Sequence, residues 1–221
     1  MNEMQFFEGS KNPFNIVKSV AYDLAFMRNN PAFFAPDGIY LFTGEQGSGK
    51  SLSMAKCALS LVHEFPAAIV CSNMDIKGIE TVPFKHYEQL VEMDNGTAGI
   101  IFVIDELQVL WNCHESKDIP IEEIGAFSQN RKSRRVILGT SQVYSQVAKS
   151  IRQQLKYVIM CHNFMKYIQV NTIVNPHAEG CKGEQDGELD GAIIKRQIFF
   201  HSPAHHPVHP CIPPHVDLQW C

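Results

Sequence analysis

One octapeptide constrains this chain more than anything else in it: Gly44-Glu45-Gln46-Gly47-Ser48-Gly49-Lys50-Ser51 fits GxxxxGK[ST] without a mismatch. The run before it, Gly38 to Phe42, reads as a buried strand, and Ser51-Leu52-Ser53-Met54-Ala55-Lys56 reads as a helix start. A glycine-rich turn in that setting lets several backbone N–H groups curl toward phosphate oxygens, while the helix N-terminus adds its partial positive charge. Gly44 through Leu52 are therefore assigned to nucleotide binding. Lys50 would reach the β- and γ-phosphates, and the Ser51 hydroxyl would ligate Mg²⁺. The competing reading is a chance glycine-rich turn, which leaves both neighbouring elements unexplained.

A metal needs a second ligand, and Ile100-Ile101-Phe102-Val103-Ile104-Asp105-Glu106 offers one. Five apolar residues make a strand buried on both faces, and the acidic pair sits where that strand emerges. Asp105 would bind Mg²⁺ through water and Glu106 would polarise the attacking water; the alternative for Asp105 is an ordinary helix cap. One further strand, Ala67–Ser72, lies between the phosphate loop and the acidic strand. That order, with the Glu after the Asp, marks the branch of P-loop ATPases in which the glutamate is catalytic. No Asn-Lys-x-Asp run is present to read guanine, so ATP is the expected nucleotide.

Downstream, Arg135-Val136-Ile137-Leu138-Gly139-Thr140-Ser141-Gln142 is another buried strand with a polar end. In a parallel sheet that end would lie beside the acidic strand, which places Thr140, Ser141 or Gln142 near the γ-phosphate, and Gln142 is the candidate sensor. Ser141 as a strand-to-helix cap is the plainer alternative, and the two roles can coexist. Just upstream, Arg131-Lys132-Ser133-Arg134-Arg135 puts four cations in five residues. They form either a solvated helix end favoured by the dipole, or a site where Arg131, Arg134 or Arg135 reaches a neighbouring subunit's γ-phosphate or DNA phosphates. Arg152 is the second candidate. The expected catalytic set is Glu106, Lys50, Gln142, Arg131 and Arg134.

At 221 residues, 45% hydrophobic and 19% charged, the chain can build a core, which excludes disorder throughout. Its longest apolar run, Ala98 to Ile104, falls far short of the roughly 20 residues a membrane helix needs. No basic stretch followed by a long apolar segment opens the chain, so a cytoplasmic location in a host cell is expected, with any virion or membrane association made through partners. Seven scattered Cys read as reduced thiols. A net charge of -4 argues against coating nucleic acid by bulk electrostatics and leaves that work to a local basic cluster.

Three parts are expected. Residues 1–37 hold an amphipathic helix from Phe14 to Met27. Residues 38–175 alternate strands (38–43, 67–72, 99–104, 135–140, 156–162, 163–174) with helices (49–63, 85–93, 120–130, 145–153). That alternation predicts an α/β fold: a three-layer α/β/α sandwich with a mainly parallel sheet, the RecA-like P-loop NTPase core with a catalytic glutamate (ASCE-type). Residues 176–221 hold an aperiodic loop (Glu179 to Gly191), a strand (Ala192–Phe200) and a His/Pro-rich tail. Cys181, His201, His205, His206, His209, Cys211, His215 and Cys221 could ligate zinc, but no paired spacing supports it, and a partner-binding or disordered tail is the default.

Taken together, Thr43 through Ser51, Ile104-Asp105-Glu106, Asn130-Arg131-Lys132, Gly139-Thr140-Ser141-Gln142 and Ile151-Arg152 resemble the ATPase domain of the Zonula occludens toxin (Zot) family, which includes the assembly ATPase of filamentous phages. The resemblance runs from Gly38 to Val174 and extends to FtsK/HerA-type ATPases and to packaging ATPases of membrane-containing viruses. It implies an oligomeric motor, a homo-oligomeric ring of five or six copies, that hydrolyses ATP to move DNA or a nucleoprotein cargo or to drive virion assembly beside phage or mobile-element proteins. Family members that export phage carry a transmembrane helix after the ATPase domain. Its absence here turns the expectation toward packaging or DNA transfer. The rival is an adaptor that binds ATP to change shape and recruits partners through its tail with little or no hydrolysis. Glu106 speaks for hydrolysis.

Overall fold

Strand β1 (Gly38–Thr43) is buried from Ile39 onward, which is why its sequence is apolar without alternation. In the computed structural model, which describes residues 33–111, 133–178, 183–185 and 188–200, this strand turns through residues 44–49 into helix α1 (Lys50–Glu64). The remaining elements are β2 (Ile69–Ser72), β3 (Val82–Pro83), α2 (Gln89–Glu92), β4 (Ile100–Ile104), α3 (Leu107–Leu110), β5 (Arg135–Ser141), α4 (Lys149–Arg152), β6 (Leu155–Phe164), β7 (Ile168–Asn175), β8 (Gly183–Gln185), β9 (Glu188–Asp190) and β10 (Ala192–Phe200).

Eight strands form one sheet in the order β10-β7-β6-β1-β5-β4-β2-β3. From β6 to β3 every neighbouring pair is parallel, whereas β7 and β10 are antiparallel additions at one edge. Two apolar layers sandwich the sheet. On one face Met54, Cys57, Ala58 and Leu61 of α1 pack against Tyr40, Phe42, Val70, Ile101, Val103 and Leu138. On the other, Leu107, Trp111, Tyr144, Val147 and Ile151 cover Ile39, Leu41, Ile100, Phe102, Ile104 and Ile137. Truncating a fully buried side chain such as Leu61 in a layer like this costs about 2–5 kcal/mol. Beyond that second layer, Ile198 and Phe200 of β10 stay exposed.

Several expectations are corrected. The strand expected from 163 is two pieces: residues 163–164 end β6, and Met165 and Lys166, with φ of 54° and 62°, turn the chain back before β7 begins at Ile168. Neither residue is the Gly or Asn that usually marks such a turn, so the sequence conceals it. The helix expected over 85–93 is a single turn, because the Gln89 side chain accepts from the N–H groups of Lys85 and His86 and holds them outside the helix. The helix expected over 145–153 is a 3-10 turn (Tyr144–Gln146) and α4, separated by extended Val147. The aperiodic stretch before Gly191 contains the two-stranded sheet β8–β9, whose short polar strands carry no apolar alternation. Its one signal is the Asp186-Gly187 pair between them. The amphipathic helix over 14–27, the helix over 120–130 and the tail over 201–221 lie outside the described residues.

Because β5 sits between β1 and β4, three carboxyl ends open side by side. Thr43 stands opposite Ser141, and Gly139 stands opposite both Leu41 and Ile104. The segments that follow these residues therefore share one edge of the sheet.

Candidate nucleotide-binding site

The loop after β1 turns on three glycines at positive φ: Gly44 at 148°, Gly47 at 81° and Gly49 at 82°. At Gly44 a Cβ would also stand 2.6 Å from the Cys161 carbonyl oxygen, so side chains are barred by space as well as by backbone conformation. Gly49 caps α1 without a side-chain hydrogen bond, and the first turn carries no acid. The positive end of a 15-residue helix is thus left facing the loop. The Ser48 N–H donates to the Glu45 carbonyl at 3.1 Å, and Lys50 Nζ donates to the carbonyls of Gly44 and Glu45 at 2.9 Å each.

Asp105 is the hub of the opposite wall. One oxygen, Oδ1, accepts from Ser51 Oγ at 3.0 Å and from Thr140 Oγ1 at 2.6 Å. The same Thr140 oxygen accepts from the Glu106 N–H at 2.8 Å. Asn73, one residue beyond β2, grips the Asp105 backbone from the other side, its Oδ1 accepting from the N–H at 2.8 Å and its Nδ2 donating to the carbonyl at 2.9 Å. Glu106 then sits in the left-handed region at φ 58°, ψ 56°, an uncommon place for a non-glycine residue, with its side chain exposed. Side chains from α1, β5 and the residue after β2 thereby converge on one residue, Asp105, at the end of β4.

This arrangement brings together Lys50, Ser51, Asp105 and Glu106 as the spacing predicts. Gln142 is exposed one residue past β5 and takes no part in the hydrogen bonds above; Thr140 is the residue of that strand that meets the acidic pair. Ser141 Oγ donates to the Val143 carbonyl at 2.9 Å, which closes a turn and caps no helix.

Within the basic cluster, Arg135 does not project outward. It is 7% exposed, and its guanidinium donates to the carbonyls of Leu90, Val91 and Met93, the end of α2. Burial lowers its pKa below the ordinary value, an effect the Asp94 carboxylate opposes. Arg134 stacks over the Phe33 ring at 3.9 Å, immediately before β5. A seven-residue strand, about 20 Å long, separates it from the phosphate loop of its own chain. Arg131 lies outside the described residues. Arg152 lies over the Tyr144 ring at 5.3 Å.

Signals for the missed residues were present but weak. Asn73 follows directly on a strand adjacent to the acidic one, a position that becomes visible once the strand order is known. Gln169, fully buried on β7, donates to the Ser48 carbonyl at 2.8 Å; its alternation with Val170 and Asn171 imitates a solvent-facing strand. Cys57, Cys71 and Cys161 are buried and not disulfide-bonded, and burial pushes Cys71 up to about 11 and Cys161 to about 12. No group of three or more His, Cys, Asp or Glu gathers as a metal site among the described residues; the proposed zinc ligands lie outside them.

No protein-family model matches the sequence, and no curated protein matches it. Among solved structures, the chain is similar to the N-terminal domain of zonular occludens toxin from Neisseria meningitidis, with a TM-score of 0.50 at 14% identity over 73% of this chain and 95% of that one. The chain has the P-loop NTPase fold. The genome packaging NTPase B204 from Sulfolobus turreted icosahedral virus 2, in complex with ATP-gammaS, superposes at TM-score 0.48 and 14% identity over 76% of this chain and 98% of that one. B204, the DNA-packaging ATPase from Sulfolobus turreted icosahedral virus, gives 0.46 and 14%, over 77% and 100%. Within the P-loop fold, the strand between β1 and β4 is β5, the one that carries Thr140. No helix among the described residues is long and apolar enough to cross a membrane.

Proposed function

We propose that this chain is an ATP-hydrolysing enzyme of viral or mobile-element type whose turnover drives DNA packaging or translocation, or virion assembly, as a homo-oligomer. The observation that carries the reading is the 3.0 Å hydrogen bond between Ser51 of the loop-to-helix junction and Asp105 of the acidic strand, with Glu106 next in sequence. A hydroxyl and a carboxylate held that close form an oxygen donor set suited to Mg²⁺. The Ser48 hydroxyl is buried without a hydrogen-bond partner, and a Cβ at Gly47 would meet nothing within 4 Å, so the loop has both a spare donor and open space. These residues fit ATP and Mg²⁺.

In that mechanism the metal, when bound, neutralises phosphate charge. Lys50 exchanges its two carbonyl partners for phosphate oxygens, and the α1 N-terminus supplies N–H groups to the same anion. Thr140 and Asn73 fix Asp105, so the carboxylate does not have to reorganise when charge arrives. Glu106, exposed beyond the strand end, accepts a proton from the attacking water. An arginine from a neighbouring copy, Arg131 or Arg134, completes the site or contacts DNA phosphates.

Phosphate release measured with and without DNA tests the reading. Lys50→Ala should abolish tight ATP binding while the circular dichroism stays parental, and Glu106→Gln should keep binding but lower turnover by about 10² or more. Parental turnover in Glu106→Gln would transfer the role to another residue, and tight ATP binding without turnover in the parent would favour an adaptor.

A further inference from the structure

We propose that Gln169 is a positioning residue for the phosphate loop, acting on the nucleotide through the Ser48–Gly49 peptide; the inference rests on the nucleotide-binding reading above. Gln169 lies on antiparallel strand β7, outside every motif of the site, yet it is 0% exposed. Its Nε2 donates to the Ser48 carbonyl at 2.8 Å and to Asn171 Oδ1 at 3.1 Å, while its Oε1 accepts from Asn163 Nδ2 at 3.2 Å. Asn171, 3% exposed, accepts in turn from Ser53 Oγ of α1 at 3.0 Å. Asn163 and Gln169 are direct cross-strand partners. Two buried amides on neighbouring inward positions of one strand are thus spent on the loop and on the first turns of the helix that follows it. Apolar residues would fill that space without any need for hydrogen bonds.

What the Ser48 bond does follows from peptide geometry. A trans peptide unit is planar, with its carbonyl and N–H pointing in opposite directions. Holding the Ser48 carbonyl toward β7 turns the Gly49 N–H away from β7, free of the strand and available to an anion. Glycine at position 49 makes the contact possible, since a Cβ there would stand 2.1 Å from Gln169 Oε1. The amide and the glycine are therefore matched: one occupies the space that the other leaves. Nothing in this requires Gln169 to touch nucleotide.

Steady-state kinetics on the full chain separate positioning from simple stabilisation. Gln169→Met keeps length and volume but removes both hydrogen-bonding functions; its KM for ATP should rise at least tenfold while kcat stays within threefold of the parent. Asn163→Ala, which frees the amide from one side only, should raise KM about threefold and serves as the deciding variant if Gln169→Met does not fold. Lys50→Ala is the control. An unchanged KM in the variant that folds, with binding lost in Lys50→Ala, overturns the role of Gln169 and leaves the nucleotide site standing. Equal loss of kcat at parental KM also overturns it. Parental ATP binding in Lys50→Ala removes the nucleotide reading and this inference with it.

Discussion

A single oxygen, Asp105 Oδ1, accepts from both Ser51 and Thr140, and the Thr140 oxygen also satisfies the Glu106 N–H. Thr140 is 1% exposed, and removing its hydroxyl leaves the partly buried Glu106 N–H without this acceptor and thins the shell around a carboxylate. Thr140→Val should therefore cost about 1–3 kcal/mol in urea unfolding, whereas Thr140→Ser should cost less than about 1 kcal/mol. A larger loss in Thr140→Ser than in Thr140→Val would mean that the methyl group matters and the hydroxyl does not. Lys50, Ser51, Asp105 and Glu106 were legible in the sequence because each belongs to a short motif with its own spacing. Thr140 was legible only as one of three polar residues at its strand's end, with Gln142 preferred, and Asn73 and Gln169 carry weaker signals still, because their partners are brought to them by strand order.

Short elements here are held by side chains more than by propensity. Helix α2 is one turn of four residues, too short to persist alone, and its carbonyl end is gripped by the buried Arg135 fork. Replacing Arg135 with Met should destabilise the chain by about 2–4 kcal/mol, because three carbonyls lose a charged donor at once. Arg135→Lys should recover only part of that, since an ammonium cannot span the three acceptors. Chemical denaturation checks both, and ATP affinity measured on folded Arg135→Met should match the parent. A loss of turnover without a loss of stability would return Arg135 to the catalytic candidates. The four-cation run concealed this because composition describes a charge cluster but not which members point inward. The strands read well for the opposite reason: β1, β4 and β5 are buried on both faces, and uninterrupted apolar runs signal that directly.

At the scale of the molecule, alternation of strands and helices made the parallel core legible, and β5 pairs with the acidic strand β4 as its polar end led one to expect, whereas its place between β1 and β4 follows from the structure alone. The antiparallel flank was less so. Its turn at Met165 and Lys166 uses residues that rarely adopt positive φ, and β8–β9 consists of polar three-residue strands.

The strand that launches the phosphate loop has a consequence for how the chain is made. Both neighbours of β1, β5 and β6, are synthesised roughly a hundred residues after it, and such distant pairings are slow to form. While the ribosome works through the intervening stretch, β1 has no partner on either side, and the glycine loop has nothing to hold it open. Chains arrested with residues 1–150 outside the exit tunnel should fail to retain a fluorescent ATP analogue; those arrested with residues 1–200 outside should retain it. Retention by the shorter chains would mean that the cradle assembles without β6 and β7. The expected result makes nucleotide a late arrival in biogenesis, a ligand that greets a finished sheet and gives no help in building it.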